Sequence, residues 1–255
     1  MTEGDHARRA DQYDDPSHDY RQYWEGRDYE HAAEEIAVRR LLGHRRFRRA
    51  IDVGGGFGRL SKLLTEYADS VLLAEPSRQQ LDKAVEFLAG DPRIERLQLQ
   101  AADLQQPDGS ADLVLFVRVL HHIPEPEAEL REIARVLEPG GTFIVEFANS
   151  ANALRRLRLL TKGKSVPREP INLRSHLPRS EDEIPFVNHN PRTLLAQLDR
   201  AGFEVEQRLS GSNLRSPRLK RTLKLRTMLA AERLLQPVLA PLWFGPSIWL
   251  RLRKR

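Results

Sequence analysis

The stretch AIDVGGGFGRL, residues 50–60, sets four glycines into five positions directly after a short apolar run. Glycine leaves the main chain bare and reaches conformations closed to other residues, so such a turn lets a ligand lie against peptide N–H groups. The spacing is Asp52-x-Gly54-x-Gly56-x-Gly58. A dinucleotide fingerprint, G-x-G-x-x-G, counted from Gly54 would need glycine at position 59, where the chain has Arg59. Two carboxylates lie beyond later apolar runs: Glu75 after VLLA, and Asp103 in AADL at 101–104. A carboxylate suits a diol, since each oxygen can accept one O–H. His121 and His122 form an adjacent pair, and histidine is the natural general base near neutral pH. Near the N-terminus, YRQYWEGRDYE at 20–30 surrounds Arg27 with aromatics.

Positioning these residues requires an alternating framework. Short β-type runs fall at 50–53, 71–75, 95–99, 112–117, 142–147 and 203–208, with helix-like stretches near 59–67, 77–89, 126–137 and 191–201. Leu130, Ile133, Ala134 and Leu137 recur at helical spacing, and Pro139-Gly140-Gly141 is expected to stop that helix. Runs 112–117 and 142–147 are nearly continuously apolar, as in a parallel sheet covered on both faces. The fold class is therefore α/β, with a doubly wound sheet. In PSIWLRLRKR, residues 246–255, Ile248, Leu250 and Leu252 alternate with Trp249, Arg251 and Arg253. A basic membrane anchor is one reading; a final antiparallel strand with one apolar face is preferred.

Taken in order, the Asp52–Gly58 loop, Glu75, AADL at 101–104, ADLVLFVRVLHHI at 111–123 and LEPGGTFIVEF at 137–147 resemble the motifs of class I S-adenosylmethionine-dependent methyltransferases. The match is to the methyltransferase type 11 group, which includes quinone-biosynthesis-type small-molecule enzymes, and it covers roughly residues 45 to 147. The resemblance implies a Rossmann-like seven-stranded sheet, six strands parallel and one reversed. It implies S-adenosylmethionine as cofactor, with Glu75 accepting from both ribose hydroxyls. Asp103 would accept from the adenine amino group and Leu104 would offer its backbone N–H. Arg118 would present its backbone to the cofactor, its side chain lying elsewhere. A nucleotide-sugar or nicotinamide enzyme is the competing reading of the loop.

Methyl transfer from a sulfonium asks mainly for alignment and an available nucleophile. RVLHHIPEP does not match the Asp/Asn-Pro-Pro-aromatic turn of enzymes that methylate exocyclic amino groups of bases, and the chain has no cysteine for cytosine C5 or radical chemistry. Small-molecule O-, N- or C-methylation remains. His121 is the first candidate for a catalytic base with His122 beside it; the other reading is that both shape the pocket. Arg27 is expected to pair with the methionine carboxylate and Tyr20 or Trp24 to cover the pocket, unless this segment only leads into an amphipathic helix.

Two stretches exceed what that framework requires, at about 149–188 and 211–246. Strand order carries both to the ligand-binding edge of the sheet, so both are expected as lids over the acceptor pocket, with residues 1–44 as an N-terminal cap and 45–255 as the methyltransferase domain. Arginine and lysine crowd each stretch among leucines. Three readings compete: a core-filling lid with solvated cations, a lid docking on anionic lipid or admitting a hydrophobic or acidic acceptor, and a nucleic-acid surface. Leucines occupy the places where stacking aromatics would serve RNA, so nucleic acid is the least expected. The 255 residues, net charge +5, lack any apolar leader or spanning run, which with the absence of cysteine leads us to expect a cytoplasmic protein with no metal, peripheral at most to the inner membrane surface. From another class, a methyltransferase-fold RNA- or protein-binding module with little turnover stays open.

Overall fold

The computed structural model describes residues 26–173 and 186–255. Helix α1 (Asp28–Leu42) leads into β1 (Phe47–Val53), followed by α2 (Arg59–Leu64), β2 (Ala68–Ala74), α3 (Arg78–Phe87), β3 (Ile94–Leu97) and β4 (Ala111–Phe116). After a 3-10 turn at Leu120–His122 come α4 (Glu127–Val136), β5 (Leu137–Ala148) and α5 (Ala153–Leu160). A two-residue ladder pairs Ile171–Asn172 with Val187–Asn188. Helix α6 (Pro191–Arg200), β6 (Phe203–Gly211), α7 (Pro217–Thr222), α8 (Leu225–Leu239) and β7 (Ser247–Lys254) complete the chain.

Seven strands form one sheet in the order β3-β2-β1-β4-β5-β7-β6. Strand β7 runs antiparallel to both its neighbours, and the other pairings are parallel. The expected sheet, with its one reversed strand, is the sheet found. Strand β4 is buried almost throughout, because α1, α2 and α3 cover one face and α4 and α6 the other. Periodicity decides which helical residues face in: Leu130, Ile133 and Val136 of α4 are fully buried. At the start of α3 the Ser77 hydroxyl caps the helix, accepting from the Gln80 N–H.

Two local expectations need correction. Helix α4 ends at Val136, ahead of Pro139, and Pro139-Gly140-Gly141 sits within β5, where the β4 partner register jumps from Leu137 to Thr142. The three residues are an outward bulge in the ladder, with Gly140 at φ +78°. Strand β7 is apolar on both faces where Trp249 lies. Ile248, Leu250 and Leu252 face α4 and α6, whereas Trp249 joins the core under α1. Arg251, on that second face, donates to the Leu41 carbonyl at 2.8 Å.

Candidate functional site

The turn after β1 is built so that only glycine fits. Gly54 has φ +66°, and a Cβ there would stand 2.5 Å from Val119 Cγ2. At Gly55 an added Cβ would meet both Asp52 Oδ2 and Leu73 Cδ1 at 2.5 Å. Asp52 supports the turn from beneath: its carboxylate is buried and accepts from the Ser61 hydroxyl at 2.6 Å. Burial pushes its pKa up to about 6, against the opposing pull of the Ser61 hydrogen bonds and the Arg59 charge.

Glu75 lies one residue beyond β2 and is only 4% exposed. Its Oε2 accepts from the Gly56 N–H at 2.8 Å and its Oε1 from the Ser77 N–H at 2.9 Å. A carboxylate oxygen can accept more than one hydrogen bond. Glu75 and the glycine loop line one side of a cavity of about 610 Å³. On the same wall stands Gln80, 1% exposed, whose amide oxygen and nitrogen both lack a hydrogen-bond partner among the described residues. A buried amide with both ends unpaired is costly unless something in the cavity pairs it. Bare main chain, a buried carboxylate and a buried amide are a set of donors and acceptors that fits an adenosyl group.

Residues that follow β4, Val117 to Val119 with His122 and Ile123, form a further part of the wall. Arg118 takes the left-handed conformation, φ +61°, and its N–H donates to Glu146 Oε2 at 3.2 Å. Glu146 is buried, its pKa raised by that burial, and its Oε1 accepts from the Ser247 hydroxyl. The Arg118 guanidinium turns to Glu34 of α1 at 3.1 Å, as expected of a side chain lying elsewhere than its backbone. Glu34 also binds Arg59, whose other nitrogen donates to His31 Nδ1 at 2.7 Å. One buried carboxylate from α1 thus ties together the loops after β1 and β4.

The anticipated site residues fall into two groups. Asp52, Gly54, Gly56, Glu75, Arg118 and His122 line the cavity, and Gly58 closes the loop, its N–H donating to the Gly55 carbonyl at 3.1 Å. Four others stand differently. The Leu104 N–H is not offered to a ligand: it donates to Glu132 Oε1 at 2.7 Å, because α4 presents that carboxylate to the turn. Asp103 is exposed beside Gln100, Ala101 and Ala102, which do line the cavity. His121 is 8% exposed and does not line it; its ring packs between His122 and Phe186, with centroids 3.9 and 4.7 Å away. Arg27 is half-buried where α1 begins and is not among the lining residues. Tyr20 and Trp24 lie outside the described residues. The insertions also depart from the expected lid. Among the described residues neither contributes to the cavity wall, and α8 packs on α1 and β6 instead. Gln80, Glu34, Arg59 and Glu146 were not singled out by the sequence as site residues. Arg59 carried a signal only as the residue that breaks the dinucleotide spacing.

Residues 51–145 match a family model described as a methyltransferase domain. A demethylmenaquinone methyltransferase of Clavibacter sepedonicus is 33% identical over 110 residues, 43% of this chain and 45% of that protein. The ubiquinone/menaquinone biosynthesis C-methyltransferase UbiE of Azotobacter vinelandii is 36% identical over 124 residues, 45% of this chain and 48% of that protein. The chain thus spans about half the length of these curated relatives. An S-adenosylmethionine dependent methyltransferase from Mesorhizobium loti has the same fold, with a TM-score of 0.57 at 22% identity over 87% of this chain and 98% of that one. The glycine loop, the Glu75 clasp, the strand order and these matches agree: residues 51–145 form a class I S-adenosylmethionine-dependent methyltransferase domain of the type 11 group.

Proposed function

We propose that this chain transfers a methyl group from S-adenosylmethionine to a small or lipid-like acceptor and releases S-adenosylhomocysteine. The observation that carries this reading is Glu75, a buried carboxylate in the cavity lining whose two oxygens are fixed by the Gly56 and Ser77 N–H groups, the acceptor type that a ribose diol needs. Gln80, unpaired on the same wall, takes the remaining polar atoms of the adenosyl group. When bound, the sulfonium supplies an electrophilic methyl carbon. The residues of the chain bind, orient and exclude water. Glu34 anchors Arg59 and Arg118, keeping positive charge beside the end of the cavity where a carboxylate would sit; this role, first assigned to Arg27, suits Arg59 better because Arg59 lines the cavity. Asp103 stays a candidate for the adenine edge if its loop turns inward on binding.

His122 is the proposed general base, accepting the acceptor's proton as the nucleophile attacks, and His121 holds its ring by stacking. The quinone-type substrates in the names of the two curated relatives suggest a hydroquinone or phenol as acceptor. Cytoplasmic residence with peripheral contact at an anionic membrane belongs to the same reading.

Titration calorimetry with S-adenosylmethionine, followed by transfer of labelled methyl to naphthoquinol and phenolic acceptors, tests it. His122→Ala should lower kcat by about a hundredfold while leaving cofactor affinity unchanged. Glu75→Gln should weaken that affinity by about tenfold or more. Absent cofactor binding would sink the reading, and binding without transfer to any acceptor would favour a binding module.

A further inference from the structure

Eleven large apolar side chains are exposed among the described residues, and all but Val85 lie in the two insertions. Such segregation differs from the single scattered leucines of an ordinary surface. Helix α5 carries the densest group. None of its residues is buried, and Leu154, Leu157 and Leu160 are 76, 60 and 74% exposed. At helical spacing the three form one stripe, with Arg156 and Arg158 on its two flanks. A second stripe runs down α8 into the following turn: Leu234 at 72%, Val238 at 67% and Leu242 at 56%.

The two stripes are joined. The Ala153 N–H donates to the Phe244 carbonyl at 3.0 Å, and the Arg156 guanidinium donates to the Leu242 carbonyl. Asn149 adds bonds from its amide to the Trp243 and Gly245 carbonyls. Helix α5 is thus held against the end of α8 by its N-terminal turn while its leucines face away from the core.

Charge across this region has one sign. No acid occurs between residues 149 and 168, and between 207 and 255 the only one is Glu232, which is fully buried. Arg156, Arg158, Lys162, Lys164 and Arg233 are all exposed. Leucines flanked by long cationic side chains match an interface whose interior is hydrocarbon and whose headgroups are anionic, since the arginine stems lie along apolar surface and their heads reach the phosphates. No described helix is long and apolar enough to cross a membrane, so the match is to lying on a bilayer.

We propose that the α5 stripe, continued by Leu234, Val238 and Leu242, is a docking surface for an anionic lipid bilayer. It names the surface for the membrane contact proposed above, and docking requires neither cofactor nor turnover. RNA would find the same cations, but the side chains that form the two stripes are all aliphatic and offer no stacking face.

The test is co-sedimentation of the full chain with vesicles of equal parts phosphatidylglycerol and phosphatidylcholine, and with phosphatidylcholine alone, across a salt series. Binding should require phosphatidylglycerol and weaken as salt rises. Leu154→Ser, Leu157→Ser and Leu160→Ser combined should weaken it by about tenfold or more without altering circular dichroism or cofactor affinity, because none of the three is buried. Arg158→Glu should weaken it by about fivefold or more. Undiminished binding of the triple serine variant would overturn the proposal. So would tighter retention on poly-uridine than on vesicles at equal salt, or a dimer that the triple variant dissolves. Failure here with methyl transfer intact would remove the docking surface and leave the proposed function standing.

Discussion

At the scale of single residues, the site depends on carboxylates held where water cannot reach them. Asp52 is the clearest case, because its burial has a consequence in pH. With its pKa raised from 3.8 to about 6, the folded chain holds a proton there that the unfolded chain releases. Stability should therefore fall as pH rises through that interval, by about 3 kcal/mol from this group. Asp52→Asn keeps an oxygen for the Ser61 hydroxyl and should remove most of that part of the slope. Urea midpoints of both proteins at pH 4 and pH 7 would show it, and equal slopes would rule it out. The sequence gives no hint of this burial, since it reveals Asp52 only as the first letter of a motif. It does reveal Glu75, though only through its spacing from the glycine loop and the later motifs, since a carboxylate after a strand run is by itself an ordinary solvated strand end. Gln80 is invisible for the opposite reason: a glutamine in the first turn of a polar helix reads as surface until the cavity beside it is seen.

Elements are fixed to one another by buried polar groups as much as by leucines. Helices α1 and α8 meet through Tyr29, whose hydroxyl donates to Glu232 at 2.7 Å and accepts from the Leu214 N–H at 2.9 Å. Asn213 adds bonds from its N–H and its amide to the same carboxylate, and Gln236 donates to the Ala33 carbonyl at 2.9 Å. Tyr29→Phe would leave the Leu214 N–H unpaired and take from the buried Glu232 carboxylate its shortest donor, lowering stability by about 1 to 3 kcal/mol. Because Glu34 lies on the same helix and holds Arg59 and Arg118, that variant should also weaken cofactor binding. Calorimetry beside a urea melt separates the two effects, and a loss of stability without loss of affinity would show α1 to be independent of α8. The helical pattern up to about Leu42 is legible in the sequence. Its partner is not, because Tyr29 and Glu232 stand 203 positions apart and periodicity carries no information about pairing.

For the whole molecule, alternation and handedness made the doubly wound sheet legible and the family resemblance supplied its seven strands, whereas the insertions could not be foreseen. Alternating β and α segments with right-handed crossovers leave few topologies open. The insertions belong to no such pattern, so their leucines read equally well as core or as surface; the structure leaves those of α5 outside and draws Met228 of α8 inward against Tyr29 and Ala33. A molecule whose cavity of about 610 Å³ is lined by the turns after β1, β2 and β4 should also respond as a unit to filling it. At a hundred times its dissociation constant, S-adenosylhomocysteine should add about 2.7 kcal/mol of stability and raise Tm by about 5 to 10 °C. A scanning-calorimetry trace unmoved by the ligand would contradict this.

Strand β7 also orders events in time. It separates β5 from β6, so neither can reach its native neighbour on that side until residues 247–254 arrive. On the ribosome, the nascent chain must therefore wait with two unzipped backbone edges exposed, and the emergence of residues 247–254, rather than local helix formation, sets when the sheet can close.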